Sequence, residues 1–248
     1  MINERIIHNK NYYIKEIDVK EARELVKKYH YSGRSVGNSK LHLGVYENGS
    51  DNLFGVLQYG YPMNPAKTPQ KIVKGSNQHE MYELNRMAMT DDAPKLSESQ
   101  AIGLSIKWIK KYKPEIKWLL SYSDGKEGNF GTIYQATNWK YIGYMVSNSF
   151  YRLDDMIKHG VSTWGMFKKK QAPGDTRTEL EILKDTFNNV SAIHCKQFTY
   201  VYPLQPGVEF LKPFVDVYPK EGVDNGLIKE VYYKRDGEVF PNPVTVEY

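Results

Sequence analysis

The sequence predicts an α/β fold, with a mixed central sheet flanked by helices and a C-terminal extension. Three patterns carry that expectation. An amphipathic stretch precedes two apolar runs joined through Asn48-Gly49. A helix with capping-box spacing separates a third strand-like run from a fourth. A Gly-rich turn and a short helix separate the fourth from a fifth. An Asn-Gly turn joins antiparallel neighbours, whereas strands separated by a helix pair in parallel, so the sheet is mixed.

Asp18 opens the first helix, with Glu21 at capping-box spacing. Ala22, Leu25, Val26 and Tyr29 fall at i, i+3, i+4 and i+7 and form one apolar face. The helix closes at His30-Tyr31, where Gly33 suits a left-handed turn. Residues 41–46 and 53–59 are the two hairpin strands. The stretch 61–75 holds three prolines and reads as a loop. Residues 81–89 form the next strand. Ser97-x-x-Gln100 then opens a helix running through Ile109 or beyond. Its apolar residues cover about half the circumference, which suits a helix lying on a sheet. Pro114 ends it. Residues 116–123 form a strand, 124–131 a Gly-rich turn, 132–139 a short helix and 141–146 a further strand. The segment 151–171 is basic, with Lys168, Lys169 and Lys170 in a row. A helix over 179–188 and a strand over 197–202 follow. Residues 219–248 are polar with short apolar runs, and the pattern assigns them no fold.

Composition sets bounds. The 248 residues suffice for one core with an appendage. Lys and Arg exceed Asp and Glu by 34 to 29, and this net +5 favours a polyanionic partner without demanding one. The 20 tyrosines suit wet surfaces and base stacking, and equally a merely tyrosine-rich composition. Cys195 is the sole cysteine, which excludes an intramolecular disulfide and a cysteine-based zinc cluster. No leader is expected from the first ten residues, and no run of 18 apolar residues occurs, so we expect a cytoplasmic protein without membrane contact.

Several residues invite a chemical reading beside a structural one. Asp124 ends a strand beside a helix start, where α/β sites lie, and reads as a proton acceptor or as a turn former before glycine. Arg86 lies mid-strand; it needs a carboxylate, phosphate or carbonyl partner, or it sits on the exposed face. Ser97 and Ser99 either cap a helix or meet a ligand. His30 and Tyr31 read as a base, a stacking platform or metal ligands, or as decoration of a helix C-terminus. Tyr134, taken by itself, reads as a helix–sheet packing residue. Lys107, Lys110, Lys111 and Lys168 to Lys170 suit a DNA backbone or a solvated face.

The order of elements resembles the acetyltransferase (GNAT) superfamily. Gln100-Ala101-Ile102-Gly103-Leu104-Ser105 resembles its coenzyme A loop, with Ser105 where glycine or alanine is usual. Tyr134 through Gly143 resembles its closing helix, whose tyrosine protonates the leaving thiolate in many members. The run Ser121-Tyr122-Ser123-Asp124 through Trp139 is more specific and resembles the phage Mom family. Glu83-Leu84-Asn85-Arg86, Ser97-Glu98-Ser99 and His30-Tyr31 echo the same family, and the likeness covers roughly residues 20–220.

That resemblance implies a GNAT-like catalytic domain over 1–218 and a tail over 219–248. It implies a phage or prophage enzyme that modifies adenine N6 in double-stranded DNA by acyl or carbamoyl transfer, against host restriction. Asp124, Tyr134, Arg86, Tyr31 and His30 would be catalytic. Ser99, Gln100, Gly103 and Ser121 would bind acetyl-CoA or a related acyl donor. No metal ligand set is assigned, and a divalent metal and the oligomeric state stay open. An acetyltransferase acting on a small amine or protein lysine, and a non-catalytic DNA-binding protein, are the alternatives.

Overall fold

A computed structural model describes residues 5–248. In chain order the described elements are β1 (Ile7–His8), β2 (Tyr12–Glu16), α1 (Val19–Tyr29), β3 (Ser39–Glu47), β4 (Leu53–Gly60), α2 (Thr68–Ile72), β5 (Met81–Met89), α3 (Ser97–Tyr112) and β6 (Trp118–Asp124). There follow α4 (Thr132–Gln135), β7 (Lys140–Leu153), β8 (Met156–His159), α5 (Gly160–Met166), α6 (Glu179–Thr186), β9 (Val190–Pro203), β10 (Leu227–Arg235) and β11 (Glu238–Glu247). The chain divides into two compact units.

The first unit comprises residues up to 122, 131–143 and 199–218. Its strands run in the order β1-β2-β3-β4-β5-β6, with β6 beside β9. Pairing is antiparallel through β5 and parallel between β5 and β6, so the sheet is mixed, as the sequence predicts. Ala22, Leu25 and Val26 of α1 pack on Val56 and Ala88. Tyr59, of opposite parity on β4, hydrogen-bonds Ser105 of α3 at 2.6 Å. Successive strand residues point to opposite faces, so α1 and α3 cover the two sides of β4. A further cluster buries Met81, Trp118, Leu120, Ile142 and Val201 under Ile72 and Val73. Each such side chain contributes about 1.5–3 kcal/mol of apolar burial.

The second unit comprises residues 123–130, 144–198 and 219–248. Its β9, β10 and β11 form an antiparallel meander, and β7 and β8 form a hairpin. Leu153, Leu183 and Val190 make its core. Glu230 is almost fully buried, and its carboxylate accepts hydrogen bonds from Arg152 Nε at 2.7 Å and from Ser191 Oγ. An unpaired buried carboxylate would be costly, and here Arg152, Ser191 and the Tyr248 phenol, at 3.0 Å, all donate to it.

The structure departs from the sequence reading at several places. Strands β1 and β2 precede the first helix. The loop over 61–75 contains α2, whose Pro69 stands at the helix start where a proline is tolerated. The Ser97–Gln100 capping box is absent: α3 is capped by Leu96, left-handed at φ 65°, with no side-chain cap bond. Helix formation therefore begins one residue early, and Ser97 lies inside the first turn rather than ahead of it. The short helix after the Gly-rich turn stops at Gln135, and Asn138 at φ 62° turns the chain toward β7. Residues 219–248 carry β10 and β11, whose partners come from distant sequence. Among the described residues no helix is long and apolar enough to cross a membrane.

Candidate functional site

Strand β5 carries the local irregularity that shapes the first unit's candidate site. Its register with β4 steps from Gln58–Arg86 to Tyr59–Leu84, so Asn85 is an extra, bulged residue. Bulges re-aim neighbouring side chains and are common beside active sites. Asn85 is fixed by three contacts: it accepts from Ser39 Oγ at 3.1 Å and donates to the Tyr61 carbonyl and to Glu83. On the other side, the parallel pairing of β5 with β6 covers Met81–Trp118, Tyr82–Leu119 and Glu83–Leu120 only. Beyond Glu83 the two strands continue without a ladder between them. Buried backbone groups demand partners, so such an opening suits a substrate.

Two groups of predicted residues meet in this unit. Ser121 follows the last residue of β6 that pairs with β5 and donates to the Tyr134 phenol at 2.8 Å, with the Leu84 carbonyl at 3.5 Å. Tyr134 is positioned by α4, which begins after Gly131. That glycine has φ 76°, and a Cβ there would lie 2.4 Å from the Tyr200 ring, so no side chain fits. Burial pushes the Tyr134 pKa up to about 12, the Ser121 hydrogen bond opposes this, and the Glu83 charge adds to it. The phenol thus keeps its proton at neutral pH.

The second group is His30, Tyr31 and Arg86. The His30 and Tyr31 rings stack with centroids 4.3 Å apart. His30 Nδ1 accepts from the Ser32 backbone N–H at 3.1 Å. Burial, then the charge of Arg86, lowers the His30 pKa to about 4, which keeps the imidazole neutral. The Arg86 guanidinium donates to the carbonyls of Arg34 at 3.1 Å and Asn85 at 2.6 Å. Carbonyls, one of the three expected partner types, hold it.

Glu83 joins this neighbourhood, and sequence reasoning did not single it out. Burial raises its pKa to about 7, against the Asn85 hydrogen bond and the Arg86 charge. Its charge also raises Tyr122, although burial is the larger cause there. The logic applied to Arg86 would have found it, because a carboxylate stands between Tyr82 and Leu84 in a strand otherwise rich in buried residues.

Of the residues assigned to a donor, Ser99, Gln100 and Gly103 lie on α3, whereas Ser121 lies on β6. Ser99 Oγ donates to the Leu96 carbonyl at 3.1 Å. Gln100 Oε1 accepts from Asn9 and Asn11 at 3.2 and 3.3 Å, which ties the helix start to the β1–β2 turn. A Cβ on Gly103 would meet open space. Ser97 Oγ is buried and, among the described residues, has no hydrogen-bond partner.

Asp124 belongs to the second unit. Its Oδ1 is buried without a hydrogen-bond partner among the described residues. Its Oδ2 lies 3.7 Å from Lys126 Nζ. The Lys126 side chain is only 5% exposed; it also bonds Glu127 and sits 4.6 Å above the Phe150 ring. The buried Lys126 thus faces two carboxylates and meets Asp124 through Oδ2 rather than Oδ1. The turn is held from below by two glycines. A Cβ on Gly226 would lie 2.0 Å from the Gly125 carbonyl oxygen, and one on Gly125 would lie 2.7 Å from the Lys196 carbonyl oxygen. Among the described residues no cluster of three or more His, Cys, Asp or Glu is arranged to hold a metal ion.

These features define an α/β protein whose mixed sheet opens beside a buried tyrosine, a serine and a high-pKa glutamate. The chain belongs to the Mom protein family, whose model matches residues 11–220. It is 43% identical over 141 residues to the methylcarbamoylase Mom of Escherichia phage Mu, covering 57% of each chain. The chain thus spans little more than half the length of that relative. Among solved structures it is similar to a putative acetyltransferase from Sphaerobacter thermophilus, at 10% identity and TM-score 0.42, covering 82% of this chain and 98% of that one. A GNAT-family acetyltransferase from Bacillus anthracis is similar at 11% identity and TM-score 0.42, covering 80% and 98%.

Proposed function

We propose that this chain is a DNA-modifying transferase that places an acyl group of the methylcarbamoyl type on the exocyclic N6 of adenine, in phage DNA within the bacterial cytoplasm. The observation that carries this reading is the 43% identity to a protein named a methylcarbamoylase. Adenine N6 is a poor nucleophile, because its lone pair is delocalised into the ring. Positioning and proton removal must therefore supply much of the catalysis.

The residues present fit an anionic acyl donor at α3. Among the described residues no side chain caps the first turn, Ser97 Oγ has no hydrogen-bond partner, and Gly103 leaves room. Unpaired amides at a helix start favour anions. Ser97, Ser99 and those amides would hold the donor, and Gln100 would brace the helix from behind. When bound, the donor supplies the activated carbonyl.

Glu83, with a pKa of about 7, accepts the amine proton as the new N–C bond forms. Tyr134 gives its proton to the leaving group as the old bond breaks, and Ser121 orients the phenol. One proton is taken and one given, so solvent exchange between the two groups restores the starting state. Neutral His30, stacked Tyr31 and Arg86 serve the acceptor side. Asp124, in the second unit, has a buried Oδ1 without a hydrogen-bond partner among the described residues and is the alternative acceptor of an amine hydrogen. Reaching N6 in a duplex requires turning the base out of the stack.

The test is mass spectrometry of nucleosides from plasmid DNA, with and without expression of the chain. A heavier deoxyadenosine, lost in Tyr134→Phe, is the expected result. Another base made heavier moves the acceptor, and an unchanged nucleoside set overturns the reading.

A further inference from the structure

Helix α5 carries its polarity reversed. Its buried residue is Thr163, whose Oγ1 donates to the Gly160 carbonyl at 2.8 Å and bonds the Glu179 carboxylate. Its large apolar residues face solvent: Val161 is 68% exposed, Trp164 49% and Met166 43%. A helix packed on its own domain turns its apolar stripe inward, and a cluster of exposed apolar side chains marks an interaction surface where a single one would not.

The helix is held rigidly in this orientation. His159 Nδ1 accepts from the Val161 backbone N–H at 3.1 Å, and the His159 ring meets Phe150 edge-on at 5.1 Å. Lys168, Lys169 and Lys170 follow within six residues of Trp164. Lys168 is tied to the Arg177 carbonyl at 2.6 Å. Lys169 and Lys170 are exposed, and among the described residues neither takes part in an ion pair.

Apolar wedges flanked by lysines match the chemistry of duplex DNA, where side chains enter a groove or part a base step while cations meet phosphates. A second copy of the chain fits poorly, because a two-fold contact through this patch would bring two lysine runs together.

We propose that α5 and the lysine turn after it form a contact surface for duplex DNA, with Val161 and Trp164 against the base steps and Lys169 and Lys170 on the phosphates. The proposal rests on the DNA reading above and adds where the duplex binds.

The other three tryptophans, Trp108, Trp118 and Trp139, are at 0% exposure, so iodide quenching of the intact protein's emission reports on Trp164. Saturating duplex is expected to remove at least about half of that quenching, given that an inserted ring is withdrawn from solvent. Trp164→Ala is expected to weaken duplex binding about tenfold with the salt dependence unchanged. Lys169→Ala with Lys170→Ala is expected to reduce the slope of log K against log salt by about 1.8, the loss of two phosphate contacts.

If bound duplex leaves Trp164 fully quenchable, the surface is wrong while the DNA reading stands. Protection by raised protein concentration alone, or by anionic vesicles in place of duplex, would equally overturn it. If neither duplex binding nor a modified nucleoside is found, both readings fall together.

Discussion

Glu83 shows how much a single side chain's surroundings matter. Its ordinary pKa of 4.5 rises to about 7 in the folded chain, chiefly through burial. Between those pH values the folded state keeps a proton that the unfolded state has released. Stability from this group is therefore highest below pH 4.5 and falls as pH rises to about 7, by at most about 3 kcal/mol. Removing the charge removes that slope. Glu83→Gln is expected to raise the melting temperature at pH 8 relative to the parent and leave it little changed at pH 4. Its transfer activity should drop about 10²-fold or more, with the rise in rate through pH 7 abolished. An active variant with an unaltered pH profile would remove Glu83 from the reaction and leave Asp124 as the base to test. His30 runs the other way. Its lowered pKa means that its neutral-state contribution is lost as pH falls from 6.5 toward 4.

At the scale of elements, the Asp124 turn depends on Gly226, which immediately precedes β10, about a hundred residues away in sequence. Gly125 and Gly226 meet backbone to backbone, and any Cβ on Gly226 would overlap the Gly125 carbonyl. Gly226→Ala must displace the turn that carries Asp124 and Lys126. The expected result is a loss of about 1–3 kcal/mol in urea unfolding, as for other overpacked sites. Activity should fall further than that stability loss accounts for at temperatures where the variant is folded. Full activity in a folded Gly226→Ala protein would mean that the turn's position is immaterial. The bulge at Asn85 is the corresponding device in the first unit, because one extra residue on β5 redirects the side chains around Glu83 and Arg86.

For the molecule as a whole, the C-terminal segment 219–248 is an integral part of the second unit. Strand β10 pairs with β9 from Leu227–Cys195 to Lys234–Val190, and Glu230 satisfies Arg152 and Ser191. Ending the chain after Tyr218 would strip β9 of a neighbour and leave Arg152 unpaired. Hydrogen exchange of such a truncated chain should show loss of amide protection in β9 (Val190–Phe198) and in the β7–β8 hairpin. Protection matching the full chain there would show that β10 and β11 are dispensable.

The sequence determined the local pieces. The 3.6-residue spacing of Ala22, Leu25, Val26 and Tyr29 gave α1, the Asn48-Gly49 turn gave the β3–β4 hairpin, and the run from Ser121 to Trp139 gave the family. Those signals are short-range, and each residue reports its own periodicity or turn preference. Tertiary structure decided what depends on distant neighbours. The capping box at Ser97 failed because Leu96 took a left-handed conformation, which no spacing rule reveals. The elevated pKa of Glu83 arises from burial beside residues of α4 and β6. The fold also decides that Asp124 Oδ1 is buried without a hydrogen-bond partner among the described residues, and that Lys126 sits over Phe150 beside Oδ2. Of the strands of the tail, β10 pairs with β9 and β11 with β10, and a period-2 pattern cannot state its partner. Propensity is local, whereas burial, electrostatics and strand pairing are set by whatever the fold brings alongside.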